Sequence, residues 1–327
     1  KAKTHPLVTM TQEAEPGRIY VDTQHEDLVH DAQLDYYGCR LATCSSDRTI
    51  KIYNVSETSY ELSATLQGHE GPVWQVSWSH PKFGVLLASC SFDGSVFIHR
   101  EIRPRDWSLV HVARRIHDSS VNSVAFAPHE YGLKVAAASS DGRVSIISCQ
   151  NDDDWSLEYI EDNALGVNSV SWAPSGAYHD ESNPEATTSP RLVTGGCDNR
   201  IRFWKLQESG QWCEDGQSPV SKDLCHSDWV RDVAWAPSLV PNVNMVASCS
   251  EDRTVLIWTQ NGQNEEWNAI LLHTFDSPVW RVSWSVTGHM LAVSSGDNDV
   301  SLWKAGVDGT WSQMSTVEDT AETPHDA

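Results

Sequence analysis

The sequence predicts an all-β fold, a six-bladed β-propeller, on two recurring observations. At six places an aspartate is followed, six positions later, by the end of an apolar run: Asp47 to Tyr53, Asp93 to His99, Asp141 to Ile147, Asp198 to Trp204, Asp252 to Trp258 and Asp297 to Trp303. Upstream of each aspartate lies a Val-x-x-Val-x-Trp pattern or a variant of it. Its copies are Val73/Val76/Trp78, Val121/Val124/Phe126, Val167/Val170/Trp172, Val230/Val233/Trp235 and Val279/Val282/Trp284, with Val29/Ala32/Leu34 as a weaker first copy. Units of roughly 45 to 57 residues built this way cannot bury their faces alone and must stack around an axis.

Each unit reads as four short strands. The valine pattern is the first. The second, of the form Leu41-Ala42-Thr43-Cys44, Leu87-Ala88-Ser89-Cys90 or Val246-Ala247-Ser248-Cys249, leads into a turn at the aspartate, and the third leaves it. The fourth often starts at a tryptophan: Trp107, Trp155, Trp267 and Trp311. The expected blades span 25–66, 69–113, 117–162, 163–223, 226–273 and 275–317, after a polar leader at 1–24 and before an acidic, disordered tail at 318–327. A polar stretch from Ala173 to Arg191 interrupts blade 4 and reads as a mobile surface loop.

A chain of 327 residues with this repeat is one closed stack rather than two domains. Its fifteen tryptophans supply the faces between blades, at about 150–250 Å² each when buried. A net charge of −22 repels phosphate backbones and anionic lipid, so direct nucleic-acid or membrane binding is disfavoured. No apolar run approaches the length needed to span a bilayer. Among eight cysteines there is no C-x-x-C pair, and Cys44, Cys90 and Cys249 occupy one repeat position, as buried spacers do. Free thiols imply a reducing compartment, and no metal or cofactor is expected.

His25, His69, His117 and His226 each lie four residues before the first valine of a blade, which invites a Ser-His-Asp reading. A catalytic site is needed once, whereas this set recurs in graded form around the ring, so a structural network is favoured and no catalytic residue is assigned. Only blade 5 has all four members, His226, Ser248, Asp252 and Trp258. Blades 1 to 3 end in Tyr53, His99 and Ile147 instead of Trp, and blade 4 has Asn163 where the His belongs. In this set the sequence resembles the WD-repeat family, in which it is a buried hydrogen-bonded network.

Ring closure has two readings. Thr310 to Val317 gives the last blade an outer strand of its own, which leaves blades 1 and 6 without a shared strand and with uncovered faces. Alternatively Arg18 to Thr23 adds a strand to the last blade and closes the ring.

A closer resemblance rests on His30-Asp31-Ala32, Asp35-Tyr36-Tyr37-Gly38, Arg40 to Asp47, Gly68 to Val76, His226 to Pro237 and Ser295-Gly296-Asp297-Asn298. From about Thr23 to Trp311 the chain resembles the small WD-repeat subunits of the COPII outer coat, a family shared with the Y-shaped complex of the nuclear pore. The resemblance implies an open six-bladed propeller completed by a blade from an elongated helical partner, either the large outer-coat subunit or a helical nucleoporin. It also implies membership of a nutrient-signalling complex of the vacuole or lysosome. The expected location is the cytoplasmic face of the endoplasmic reticulum and its COPII vesicles, and the nuclear envelope, with indirect membrane contact. Residues expected at the insertion point are Ile19, Tyr20, Val21, Trp280 and Trp303. Residues 1–16 and the blade 4 insertion have no counterpart in the family. The rival functions are a closed propeller that reads peptides as a substrate adaptor, and a propeller hydrolase.

Overall fold

The structure, a computed structural model, describes residues 20–151, 154–162, 165–178, 189–215, 225–238, 240, 242–262, 265–297, 299–306 and 309–317. Among these, 24 strands form six four-stranded antiparallel sheets, each drawn from one continuous stretch of chain and ordered as in the sequence. Blade 1 holds β1 (Val29–Leu34), β2 (Arg40–Ser45), β3 (Ile50–Val55) and β4 (Tyr60–Leu66). Blade 2 holds β5 (Val73–Trp78), β6 (Leu86–Ser91), β7 (Val96–Arg103) and β8 (Asp106–Ala113). In blade 3 are β9 (Val121–Phe126), β10 (Leu133–Ser139), β11 (Arg143–Asn151) and β12 (Asp154–Glu161). Blade 4 contains β13 (Val167–Trp172), β14 (Arg191–Gly196), β15 (Ile201–Leu206) and the short β16 (Trp212–Glu214). Blade 5 runs through β17 (Val230–Trp235), β18 (Val243–Ser250), β19 (Thr254–Asn261) and β20 (Asn268–Thr274). Blade 6 closes the series with β21 (Val279–Trp284), β22 (Met290–Ser295), β23 (Val300–Ala305) and β24 (Trp311–Val317).

In blades 2 to 5 the middle strands are largely buried because a neighbouring blade covers each face; β6 is buried along its whole length. The turn between second and third strands is set by its aspartate. Asp47, Asp93, Asp141 and Asp252 each accept the N–H of the residue two positions on, at 2.9–3.0 Å, an Asx-turn. The next residue then takes a left-handed conformation. Gly94 and Gly142 do so at φ 78° and 86°, whereas Arg48, Asn199 and Arg253 do so at 69–70°, at a steric cost the turn hydrogen bonds must offset.

Five buried clusters join successive blades: 1 to 2, 2 to 3, 3 to 4, 4 to 5 and 5 to 6. In the first, Ala42, Cys44, Ile50 and Ile52 of blade 1 meet Val73 and Val76 of blade 2. Their counterparts on blade 6, Ala292, Ser294, Val300 and Leu302, are only half-buried. On the other side of the same seam Val29 is 43 % and Leu34 55 % exposed, while Val73, Val121, Val167, Val230 and Val279 are all 0 % exposed. The weak first copy of the valine pattern is thus the copy whose apolar side chains no buried cluster of a preceding blade covers among the described residues.

The blade 4 insertion differs from a freely mobile loop at its start. Ala173, Ala177 and Tyr178 are buried in the cluster between blades 4 and 5. The Tyr178 hydroxyl donates to Gln260 Oε1 at 2.7 Å, and the Arg191 guanidinium lies 3.6 Å from the Tyr178 ring centroid. Residues 179–188 of the insertion, 1–19 of the leader and the tail from 318 lie outside the described residues.

Candidate functional site

The four polar residues picked out in blade 5 stand together. His226 Nδ1 is 3.1 Å from Asp252 Oδ2, His226 Nε2 is 2.8 Å from Ser248 Oγ, and the Trp258 indole N–H donates to the same hydroxyl at 2.8 Å. The Ser227 N–H also donates to Asp252, at 2.8 Å. Burial alone would raise the Asp252 pKa, but hydrogen bonds from His226 and Thr254 outweigh it and hold the carboxyl well below the usual carboxylate range. His226, Ser248 and Trp258 are all buried, so the serine is closed in rather than presented to a substrate.

The other blades assemble partial versions. In blade 1, His25 bridges Asp47 at 2.8 Å and Thr43 at 2.9 Å. In blade 2, His69 reaches Ser89 at 2.9 Å and approaches Asp93 at 3.4 Å. His117 of blade 3 bridges Asp141 at 2.9 Å and Ser145 at 3.0 Å; the serine comes from the third strand because Ala137 holds the usual place on the second. In blade 4 the sequence reading pointed to Asn163, which lies outside the described residues. Asp162 beside it does the work: it is buried, accepts the Thr194 hydroxyl at 2.6 Å and pairs with Arg202 at 2.9 Å, while Trp204 donates to Thr194 at 3.0 Å. Sequence reasoning missed this pair because the acceptor sits one position early and an arginine replaces the imidazole. A buried-pattern Arg at position 202, between Ile201 and Phe203, was the available signal.

A second set of contacts links blade to blade along the innermost strands. The residue before each second valine accepts the N–H of that valine's counterpart in the next blade. Asp31 Oδ2 accepts from Val76 at 3.2 Å, Gln75 Oε1 from Val124 at 2.7 Å, and Ser123 Oγ from Val170 at 3.3 Å. Ser169 Oγ then accepts from Val233 at 3.2 Å, and Asp232 Oδ2 from Val282 at 3.0 Å. The sixth member is Arg281, whose guanidinium has no acceptor to offer. It points toward Asp31 Oδ1, 3.7 Å away across the seam. Burial raises the Asp232 pKa despite the nearby Arg281 charge. Desolvation works against the Arg281 charge, yet Asp31 and Asp232 keep its pKa above the ordinary value.

The residues expected at an insertion point are not all at this seam. Trp303 is a correction: it is buried in the cluster between blades 5 and 6, its indole N–H donating to Ser301 at 2.9 Å, because the third-strand tryptophan faces the preceding blade. Trp280 is 44 % exposed and lies with its ring over Arg231 of blade 5, 4.9 Å from the guanidinium carbon to the ring centroid. Tyr20 and Val21 are described outside any strand, and the following Asp22 N–H donates to Tyr60 of blade 1 at 3.1 Å. They pair with no strand of blade 6 among the described residues, and Ile19 lies outside those residues.

None of the eight cysteines forms a disulfide. Cys44, Cys90 and Cys249 sit opposite Asp31, Gln75 and Asp232 in the strand pairing. Burial pushes all three thiols up.

The WD domain, G-beta repeat model matches residues 17–54, 60–100, 108–148, 158–205, 217–259 and 269–304, six copies that each take in the three inner strands of one blade. Relatives run the length of the fold. The chain is 49 % identical to the protein transport protein SEC13 of Yarrowia lipolytica, over 92 % of this chain and 100 % of that one. To the SEC13 homolog of Dictyostelium discoideum it is 50 % identical, over 91 % and 98 %. The chain belongs to the SEC13 family of WD-repeat proteins. The SEC13 homolog of Drosophila melanogaster is 46 % identical, over 92 % of this chain and 84 % of that protein. A solved structure titled as the mitotic checkpoint complex shares the propeller fold at a TM-score of 0.63 and 20 % identity, over 84 % of this chain and 74 % of the matched chain. At that identity the likeness is one of fold alone.

Proposed function

We propose that this SEC13-family chain is a non-enzymatic scaffold of the COPII outer cage in transport from the endoplasmic reticulum to the Golgi, and that a helical coat subunit inserts a blade between its blades 1 and 6. The observation that carries the reading is the contrast in burial at equivalent positions: Val29, Ala32 and Leu34 of blade 1 are exposed where every other blade buries the first two. A donated sheet would cover that face and the half-buried Ala292, Ser294, Val300 and Leu302 opposite it, and main-chain pairing plus two apolar faces makes an obligate interface. That such relatives are protein transport proteins supports the coat assignment. The same seam suits a helical nucleoporin of the Y-shaped pore complex and a subunit of the nutrient-signalling complex. Membrane contact is then indirect, through the partner, and the closed-in serine of blade 5 gives a hydrolase no reachable nucleophile.

A peptide-reading adaptor has one feature in its favour. Arg231 lies 5.2 Å from the Trp229 ring and 4.9 Å from the Trp280 ring at the start of the innermost strands of blades 5 and 6. That arginine is already paired with Glu251, which leaves the scaffold reading ahead.

Hydrogen exchange of the chain alone and with the blade-forming segment of the large outer-coat subunit tests the scaffold reading. Protection of residues 29–34 and 292–302 with a rise in melting temperature is expected, because a ligand that covers native apolar surface stabilises the fold. Binding that protects only the region of Trp229 and Trp280 would instead favour the adaptor.

A further inference from the structure

The seam differs from the five joined interfaces in its chemistry as well as in its exposure. At each joined interface a side-chain oxygen on one innermost strand takes an N–H of the next. At the seam both sides offer a donor at this position, although Asp31 Oδ1 of blade 1 already faces the blade 6 donor at 3.7 Å. Blade 1 presents the Ala32 N–H, the counterpart of the five bonded valine N–H groups, with no side-chain acceptor among the described residues. Blade 6 presents Arg281 where the other blades carry Asp, Gln or Ser. A strand in this gap must bring acceptors to both.

We propose that the strand filling the seam carries a carboxylate at its channel position, one oxygen taking the Ala32 N–H and the other the Arg281 guanidinium, which makes Arg281 a specificity-determining residue for the partner. This rests on the seam being the insertion site. Two carboxylates of the chain already make such bridges. Asp31 takes the Val76 N–H at 3.2 Å with one oxygen and faces Arg281 at 3.7 Å with the other. Asp232 takes the Val282 N–H at 3.0 Å with one oxygen and the Ser169 hydroxyl at 2.6 Å with the other. A serine or amide carbonyl has one acceptor atom and satisfies one donor well; a carboxylate has two, and charge-assisted bonds to guanidinium are the stronger kind.

Ser283 fixes the register further along. Its counterparts Ser77 and Ser171 accept the N–H of Phe126 at 3.1 Å and of Trp235 at 3.0 Å from the following blade. Ser283 is exposed on blade 6, so its hydroxyl is placed to take an N–H from the same incoming strand. Together, Arg281 and Ser283 read one carboxylate and one backbone N–H spaced along a single strand.

The test is a binding series with the blade-forming segment of the large outer-coat subunit, followed by hydrogen exchange at 29–34. Arg281→Met is expected to weaken binding about tenfold or more, and Arg281→Lys less, since truncating one partner of a desolvated charge pair leaves the other unpaired. The carboxylate found nearest Arg281 in the complex is then changed to its amide, in wild type and in Arg281→Met. It should cost affinity in the first background and little in the second. Equal melting temperatures of the unbound variants keep a folding defect from being read as a binding one. If the segment protects 29–34 and yet Arg281→Met binds within about twofold of wild type, or if the facing residue is not acidic, the carboxylate is wrong while the seam stands. If binding leaves 29–34 unprotected, the seam itself is not the site and this inference goes with it.

Discussion

Trp258 donates its indole N–H to the Ser248 hydroxyl at 2.8 Å, from the third strand of blade 5 to the second. The same hydroxyl meets His226 Nε2 at 2.8 Å, so one side chain satisfies two buried groups. Blade 3 shows no such convergence: among the described residues the Ser145 hydroxyl meets His117 alone, at 3.0 Å. The terminal position there is Ile147, which needs no partner.

Ser248→Ala should therefore destabilise the chain by about 2–3 kcal/mol and Ser145→Ala by about 1–2 kcal/mol, because stranding two buried polar groups costs more than stranding one. Urea titration of both variants against wild type decides it. Equal shifts in the midpoint would mean that the blade 5 network has no special standing.

His99 gives a pH signature. It is buried at the end of blade 2's third-strand run, and burial, with His69 nearby, lowers its pKa from 6.5 to about 4. The folded imidazole stays neutral where the unfolded one takes a proton, so the unfolded chain binds more protons between these values. Stability contributed by His99 is fully present above pH 6.5, and is lost toward pH 4 at up to about 1.4 kcal/mol per pH unit for one proton. His99→Leu should flatten the stability profile in that window. The turn carboxylates add their own losses lower down, as with Asp141, whose hydrogen bonds from Arg143 and His117 overcome its burial to hold it at about 2. A wild-type and His99→Leu pair with parallel profiles from pH 4 to 6.5 would remove His99 from the account.

The repeat was legible because six copies of one aspartate-bearing turn and one valine pattern superimpose at a fixed order, and tertiary packing has to respect that order in every blade. The blade 5 network was legible for the same reason. Asp162 with Arg202 was not, since the pair keeps the electrostatic role of the His–Asp set while changing residue types and position. Trp303 was assigned to the wrong interface because the side of a blade a third-strand tryptophan faces is set by neighbouring sheets rather than by its own repeat. Arg281 escaped notice for a related reason: its meaning is visible only when Asp31, Gln75, Ser123, Ser169 and Asp232 are seen accepting across the interfaces.

Tyr178 tests how firmly the start of the blade 4 insertion is held. The ring packs in the cluster between blades 4 and 5, under the Arg191 guanidinium, and its hydroxyl satisfies Gln260. Tyr178→Phe removes the hydrogen bond alone and should cost about 1 kcal/mol, whereas Tyr178→Ala empties an aromatic-sized space and should cost about 3–5 kcal/mol. Chemical denaturation of the two variants is sufficient. An alanine variant as stable as wild type would show that the segment merely lies on the surface.

The cysteines should separate into two reactivity classes under a thiol-disulfide probe. Cys39 and Cys225 are exposed, whereas Cys44, Cys90 and Cys249 are fully buried at matching strand positions of blades 1, 2 and 5. Only the thiolate attacks the probe, and burial pushes these three thiols up and so removes that form at neutral pH. Cys39 and Cys225 should be titrated at once in the native protein, and Cys44, Cys90 and Cys249 only at the rate of unfolding. All eight should be counted after denaturation. Replacing the three buried ones with Ala or Val changes little volume and should leave partner assembly intact, with losses of under about 1.5 kcal/mol per site. Fast native labelling of Cys90 would show that the interface between blades 2 and 3 opens readily, and a denatured count below the full set would show that some of these thiols are bonded in solution.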